Sequence, residues 1–195
     1  MEDKIPLSVA IITKNEAENL PDCLKSVSFA GQIVVVDSGS TDATVRIASD
    51  FGCEVAAEDW RGFGPQKQFA IDNCRNPWIL LLDADERIPE DTAQVIRNII
   101  SNPSITAAGF SFPRKNFFQG RWIRHAGWWP DRIVRLFRKG RGRMTPAKVH
   151  ESVEVEGLVE PLDCPIEHYT EGSLSHVLIK IDQYSTIGAE EAFKE

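Results

Sequence analysis

Three runs in the first half of the chain are apolar almost throughout: LSVAIIT at 7–13, QIVVVD at 32–37 and WILLLD at 78–83. A strand with one wet face alternates apolar and polar residues. These runs do not, so each needs cover on both faces. A fourth, weaker run, CEVAAE, lies at 53–58, and helix-like stretches follow the strands at about 16–28, 41–50, 64–74 and 89–101. Pro89 followed by Glu90 and Asp91 is favourable first-turn chemistry for the last of them. Strand alternating with helix predicts an α/β fold, a mainly parallel sheet with helices on both faces.

The pattern changes after residue 102. AAGFSFPRKNFF and VHESVEVEG are strand-like, and between them lies a segment rich in Arg, Gly and Trp. Leu174, Val177, Leu178, Ile181 and Tyr184 recur at helical spacing near the end, which predicts an amphipathic helix over about 173–195. That helix has no Gly or Pro stop, and a trimmed chain is the expectation. The 195 residues suit a single domain over 1–195, with a first part to about 102, a second over about 103–170, and the helix.

Composition narrows the function. No run approaches the roughly twenty apolar residues of a spanning helix, and the acidic start lacks a secretory leader's basic flank, so a cytoplasmic protein is expected. Cys23, Cys53, Cys74 and Cys164 form no CxxC pair, which argues against a zinc site and for reduced, mostly buried thiols. The net charge of −7 is uneven: residues 112–148 hold eleven Lys or Arg and one acid, Asp131, whereas the rest holds 11 basic and 28 acidic residues. Such a split points to one face meeting an anion and away from a nucleic-acid binder.

In open parallel sheets, ligands bind beyond the carboxyl ends of the strands. Here those ends are polar: Thr13-Lys14-Asn15-Glu16, Asp37-Ser38-Gly39-Ser40-Thr41-Asp42 and Asp83-Ala84-Asp85. In extended backbone Asp83 and Asp85 project to one side. Two carboxylates so close repel unless a cation intervenes, and magnesium or manganese is commonly held by one or two carboxylates plus phosphate oxygens. A plain strand end with helix-capping acids is the simpler alternative. Gly39 allows a tight turn, Ser40 or Thr41 can cap the next helix, and Asp37 suits a base or ribose. Asn15 and Glu18 make a capping pair in the plain reading of TKNEAEN. Neither GxGxxG nor GxxxxGKS occurs, so neither a dinucleotide fold nor a P-loop is supported.

Together SVAIITKNEAENLPDCLKSV, IVVVDSGSTDATVRIA, GFGPQKQFAID and WILLLDADERI resemble the family 2 glycosyltransferases, in particular the bacterial lipopolysaccharide core glucosyltransferases. WWPDRIVRLFRKG and VHESVEVEG extend the likeness over nearly the whole chain. The resemblance implies a GT-A fold, a nucleoside-diphosphate sugar donor (UDP-glucose by first expectation), a divalent cation and an inverting transfer. It implies that Thr13, Asn15 and Glu16 line the nucleotide pocket beside Gly39, that Asp37 takes uracil or ribose, and that Lys67 approaches the diphosphate. Asp83 and Ala84 would sit near the ribose and metal, with Asp85 the principal metal ligand and Asp83 beside it. The chain departs from the family in lacking a Gln-x-x-Arg-Trp-type motif.

Inversion needs a carboxylate to take the acceptor's proton. Asp131, among aromatics in WWPDRIV, and Glu151, in VHESV, are nearly equal candidates, with Glu151 slightly preferred; an ion pair with an arginine is the plain alternative for Glu151. His125, His150, His168 and His176 are too dispersed for a metal set; His150 or His168 could reach diphosphate or metal, but a hydrogen-bonded structural role is expected. The basic segment with Phe117, Phe118, Trp122, Trp128 and Trp129 suits a lipid-linked or lipopolysaccharide-type acceptor and peripheral contact with the cytoplasmic face of the inner membrane. A sugar-phosphate nucleotidylyltransferase and a non-catalytic nucleotide-binding scaffold are the rival readings.

Overall fold

A computed structural model describes residues 4–146 and 151–170. The apolar runs form strands β1 (Ile5–Thr13), β2 (Ala30–Asp37), β3 (Glu54–Ala57) and β4 (Trp78–Asp83). They lie in the order β3-β2-β1-β4, all parallel. The helices between them are α1 (Leu20–Ser26), α2 (Thr44–Asp50), α3 (Phe63–Asp72) and α4 (Glu90–Ser101). All four lie inside or within a residue of the expected stretches, and α1, with seven residues, falls furthest short of its own. Its first predicted residues form a loop instead, for a reason that belongs to the site below.

Past β4 the sheet changes direction. The next strands in the chain are β5 (Glu86–Arg87), β6 (Gly109–Phe118), β7 (Arg121–Trp122) and β8 (Asp131–Arg138). β8 is antiparallel to both β4 and β6, between which it lies. β7 folds back on β6 as a hairpin. β9 (Gly142–Met144) pairs antiparallel with β10 (Val153–Val155) in a separate ribbon. β11 (Val159–Pro161) and β12 (Ile166–Thr170) both run parallel to β6, and β5 closes the far edge against β12. The strand-like AAGFSFPRKNFF is thus β6 from Gly109 onward, while VHESVEVEG contributes only Val153–Val155. The predicted C-terminal helix, with His176, and His150 lie outside the described residues.

The core divides by side-chain parity, as a doubly covered sheet requires. Leu7, Val9, Ile11, Val35, Leu80 and Leu82 meet Leu20 and Leu24 of α1, Ala48 of α2 and Ala93 and Ile96 of α4. Ala10, Val34, Val36, Ile79 and Leu81 face the other way, against Ala70 and Ile71 of α3 and Val153. Both layers are almost fully buried. The mainly parallel sheet with flanking helices and a mixed second part is the α/β fold expected. Cys23 and Cys74 are buried free thiols, and burial pushes both up, Cys74 to about 12, which removes them from nucleophilic chemistry.

Leu80 has no exposed surface and Leu158 is 57% exposed. Leu80→Ala should cost about 3 kcal/mol in urea unfolding, and Leu158→Ala less than about 0.5 kcal/mol.

Candidate active site

Parallel pairing brings the polar strand ends together. Thr13 lies opposite Asp37 across β1 and β2, and Ile12 opposite Asp83 across β1 and β4. Asp37, Asp83 and the loop carrying Asp85 therefore share one rim of the sheet.

The first two strand ends are tied to each other. Lys14 Nζ donates to the carbonyls of Ser38 (2.6 Å) and Gly39 (2.9 Å). Asn15 adopts φ 56°, and its side-chain oxygen accepts from the Thr41 N–H at 2.8 Å. The Asn15 N–H donates to Ser40 Oγ, the Glu16 N–H to Thr44 Oγ1, and the Ala17 N–H to Asp42 Oδ2. Asn15 is thus committed across the cleft rather than to a capping pair with Glu18, and this lattice delays α1 until Leu20. Neither Ser40 nor Thr41 caps α2; Asp42 accepts from the Thr44 N–H at 2.9 Å instead. Gly39, at φ 84°, makes the tight turn expected of it.

Asp37 is 4% exposed and organises this turn. Its carboxylate accepts from the N–H groups of Gly39 (2.9 Å) and Ser40 (2.8 Å), from the Thr13 hydroxyl (3.0 Å) and from the Ser40 hydroxyl. Contact with a base or ribose requires one of these hydroxyls to turn away.

Asp83 lies in a line of alternating charge. Glu151 Oε1 is 3.1 Å from Lys67 Nζ, which is 2.9 Å from Asp83 Oδ1. Asp83 Oδ2 is 2.7 Å from the Arg135 guanidinium, which is 2.7 Å from Glu86. Arg114 continues the line, 3.8 Å from Glu86 and 2.6 Å from Asp131. Both candidate bases are therefore in ion pairs, one at each end. Lys67 is 5% exposed and engaged by two carboxylates rather than open to the cleft. Burial alone would raise the Asp83 carboxyl, but Lys67 and Arg135 more than offset it and hold the group well below the usual carboxylate range. Burial alone would lower Lys67; Asp83 and Glu151 outweigh that and the repulsion of Arg135, and raise it.

Asp85 points at a different partner. Its Oδ2 is 3.3 Å from His168 Nε2 on β12. His168 Nδ1 lies 2.7 Å from Asn116 Oδ1, and the Asn116 amide nitrogen donates to the carbonyls of Trp128 (3.1 Å) and Arg114 (3.4 Å). Those two donations fix the amide, so Oδ1 accepts and His168 Nδ1 carries the proton. The Nε2 edge of the ring then faces a carboxylate oxygen, a pair that can close directly through an Nε2 proton or hold a cation between them, and a ligating histidine is commonly oriented by such a hydrogen bond at its other nitrogen. Among the described residues no set of three or more His, Cys, Asp or Glu converges. Two protein ligands leave the remaining positions to phosphate oxygens and water, the usual arrangement for magnesium. His168 is thus both hydrogen-bonded, as expected, and placed beside Asp85, which its 83-residue separation from that aspartate concealed. His125 is exposed on a loop outside this set.

The basic segment is largely neutralised from within. Arg114, Lys115, Arg132, Arg135 and Arg141 pair with Asp131, Glu167, Asp163, Asp83 and Glu156, and Arg138 donates to the carbonyls of Ala107 and Ile105. Exposed Arg121 and Arg124 remain on the loop between β6 and β8, with Arg124 over the Trp122 ring. Beside them Trp128 is 40% exposed.

A carboxyl held low in the folded state stabilises above its unfolded value of about 3.9 and loses that contribution as pH falls from there toward the folded value. Asp83→Asn leaves Lys67 and Arg135 facing each other. It should cost about 3 kcal/mol at pH 7, the low end for breaking a buried pair because the side chain is 27% exposed. In urea unfolding the gap from the parent should narrow below about pH 4.

Residues 8–155 match the glycosyl transferase family 2. The chain is 32% identical over 203 residues to the lipopolysaccharide core biosynthesis glycosyltransferase LpsC of Rhizobium meliloti strain 1021, covering 98% of this chain and 73% of LpsC. It is 42% identical over 97 residues to an uncharacterized glycosyltransferase of Rickettsia bellii strain RML369-C, covering 49% of this chain but only 33% of that protein. S. aureus TarS 1–349, solved with UDP-GlcNAc, shares the fold, with a TM-score of 0.58 at 15% identity over 89% of this chain and 60% of its own. By strand order, rim and family match, the chain belongs to glycosyltransferase family 2.

Proposed function

We propose that this glycosyltransferase moves a sugar, glucose by preference, from UDP to a lipopolysaccharide-core or other cell-envelope acceptor, with inversion. The observation that carries the reading is the 3.3 Å approach of Asp85 to His168 on the rim that also holds Asp83 and Glu151. Asp85 and His168 are the residues that would hold Mg2+ or Mn2+, which when bound would offset charge on the departing diphosphate. The donor's identity rests on the TarS complex and the acceptor class on LpsC, each a property of that relative.

The chain's own groups have definable parts. Thr13, Asn15, Glu16, Asp37 and Gly39 wall the nucleotide end. Asp83 and Ala84 border the ribose, and Asp83, with both oxygens engaged by cations, acts beside the metal rather than on it. Lys67 holds Asp83 and Glu151 together and acts on the diphosphate side through them. Glu151, the end of the charged line on the Lys67 side, takes the proton of the acceptor hydroxyl as it attacks the anomeric carbon from the face opposite UDP. Asp131 is clamped by Nε and Nη2 of Arg114 and serves the wall of the acceptor side. Nothing in the geometry favours nucleotidyl transfer or a scaffold without catalysis.

Among the described residues no helix is long and apolar enough to cross a membrane. Peripheral contact fits the loop of Arg121, Arg124 and Trp128, which meets no carboxylate among the described residues and suits an anionic lipid surface. Each arginine there is worth about 1 kcal/mol.

Two measurements test these assignments. Glu151→Gln should keep UDP binding in calorimetry while transfer of radiolabelled sugar falls at least about 100-fold; Asp85→Ala should lose the manganese-dependent part of UDP binding. Retained transfer in Glu151→Gln, with loss in Asp131→Asn, would reassign the base. Arg121→Glu with Arg124→Glu should reduce sedimentation with phosphatidylglycerol vesicles and leave phosphatidylcholine vesicles unaffected.

A further inference from the structure

Arg135 and its partner Glu86 are charged residues that the proposed chemistry leaves without a task. Arg135 sits near the middle of β8, 7% exposed, and its Nη2 reaches two carboxylates at 2.7 Å, Asp83 Oδ2 and Glu86 Oε1. Glu86 is fully buried, and its other oxygen accepts from the Asp83 backbone N–H at 3.0 Å. Asp83 is therefore held at its main chain by Glu86 and at its side chain by Arg135, itself anchored on Glu86. Lys67 takes the remaining Asp83 oxygen.

A surface arginine would gain little from such pairing, and a buried one with a free carboxylate nearby is costly unless geometry and hydrogen bonds are good. Arg135 meets this cost unevenly, since its Nε is buried without a hydrogen-bond partner among the described residues. A side chain kept solely for stability has no need to face the cleft rim. This one divides itself between a buried anchor and the first aspartate of the Asp83-Ala84-Asp85 turn.

We propose that Arg135 is a positioning residue of the donor site, using Glu86 as its fixed point to set the Asp83 carboxylate beside the ribose and metal positions. Glu86 thereby gains a role too: the glutamate that follows the aspartate pair in DADE is the counter-ion that keeps Arg135 aimed. Arg114 also reaches Glu86, at 3.8 Å, but is directed to Asp131 rather than to Asp83, so it separates positioning from general charge balance. The inference rests on the reading that Asp83 serves the nucleotide.

The test is UDP binding by calorimetry, with and without Mn2+, in the full chain. Arg135→Met should weaken Mn2+-dependent UDP binding at least about tenfold, the size of loss typical when a partner that orients a site residue is removed. Arg135→Lys should restore part of it, and Arg114→Met should stay within about twofold of the parent. Should Arg135→Met fail to fold by circular dichroism, Arg135→Met with Glu86→Gln removes the orphaned carboxylate and should show the same weakening. Binding within twofold of the parent in that variant, while Asp83→Ala loses it, overturns the positioning role and spares the site. An equal fall in Arg114→Met overturns it as well, by reducing the effect to charge balance. Parent-like binding in Asp83→Ala removes Asp83 from the nucleotide site, and the inference goes with it.

Discussion

Asp83 is held on both oxygens by cations, Lys67 on one side and Arg135 on the other. Around it, the ends of β1, β2 and β4 and the start of β8 are kept in register. Without those cations, a carboxylate at the end of a strand as apolar as WILLL would be driven toward its neutral form by burial. With them it stays charged and fixed in direction, and its neighbour Asp85 is left free to face His168. The two aspartates that looked equivalent in DAD therefore do different work: one is locked into the protein, the other is offered to the cleft.

The balance of charge around them has a consequence. The connected set of Glu151, Asp83, Glu86 and Asp131 meets Lys67, Arg135 and Arg114, four carboxylates against three cations. Asp85 adds a fifth carboxylate, beside His168. Counted over carboxylates, lysine and arginines, the set is two negative charges in excess. An excess of that sign suits the divalent cation proposed above, which when bound would lessen the repulsion of a diphosphate.

The sequence made part of this visible. The parallel half was legible because its strands are short, apolar throughout and ended by polar clusters, and β1, β2 and β4 fall within two residues of the predicted runs. Asp37, Asp83 and Asp85 were legible as a rim for the same reason. β8 was not: DRIVRLFR puts arginines at every third position and carries no strand-like alternation. Arg135 is tolerated inside the sheet because carboxylates from β4 and β5 meet it, while Arg132 finds Asp163 and Arg138 the carbonyls of Ala107 and Ile105, long-range matches that local pattern does not contain. His168 was hidden likewise, since its partner on the other side of the cleft is brought close by β12 joining β6. The reading of Asn15 with Glu18 as a cap failed because the competing partner, Thr41, lies 26 residues away.

Strand direction explains why these distant residues converge. β1, β2 and β4 run toward the rim and end there, so each delivers its last residues: Thr13, Asp37 and Asp83. β6 runs the same way as β4, with β8 antiparallel between them, and β12 runs parallel to β6. Hence Arg114 and Asn116, late in β6, and His168, late in β12, arrive at the same rim. β8 runs away from it, so β8 delivers its first half, and Asp131 lies opposite Arg114 in the register. A wholly parallel sheet would bring only strand ends to the mouth. The reversed strand β8 adds its beginning and its middle, and with them Arg135, a cation that holds Asp83 from mid-strand.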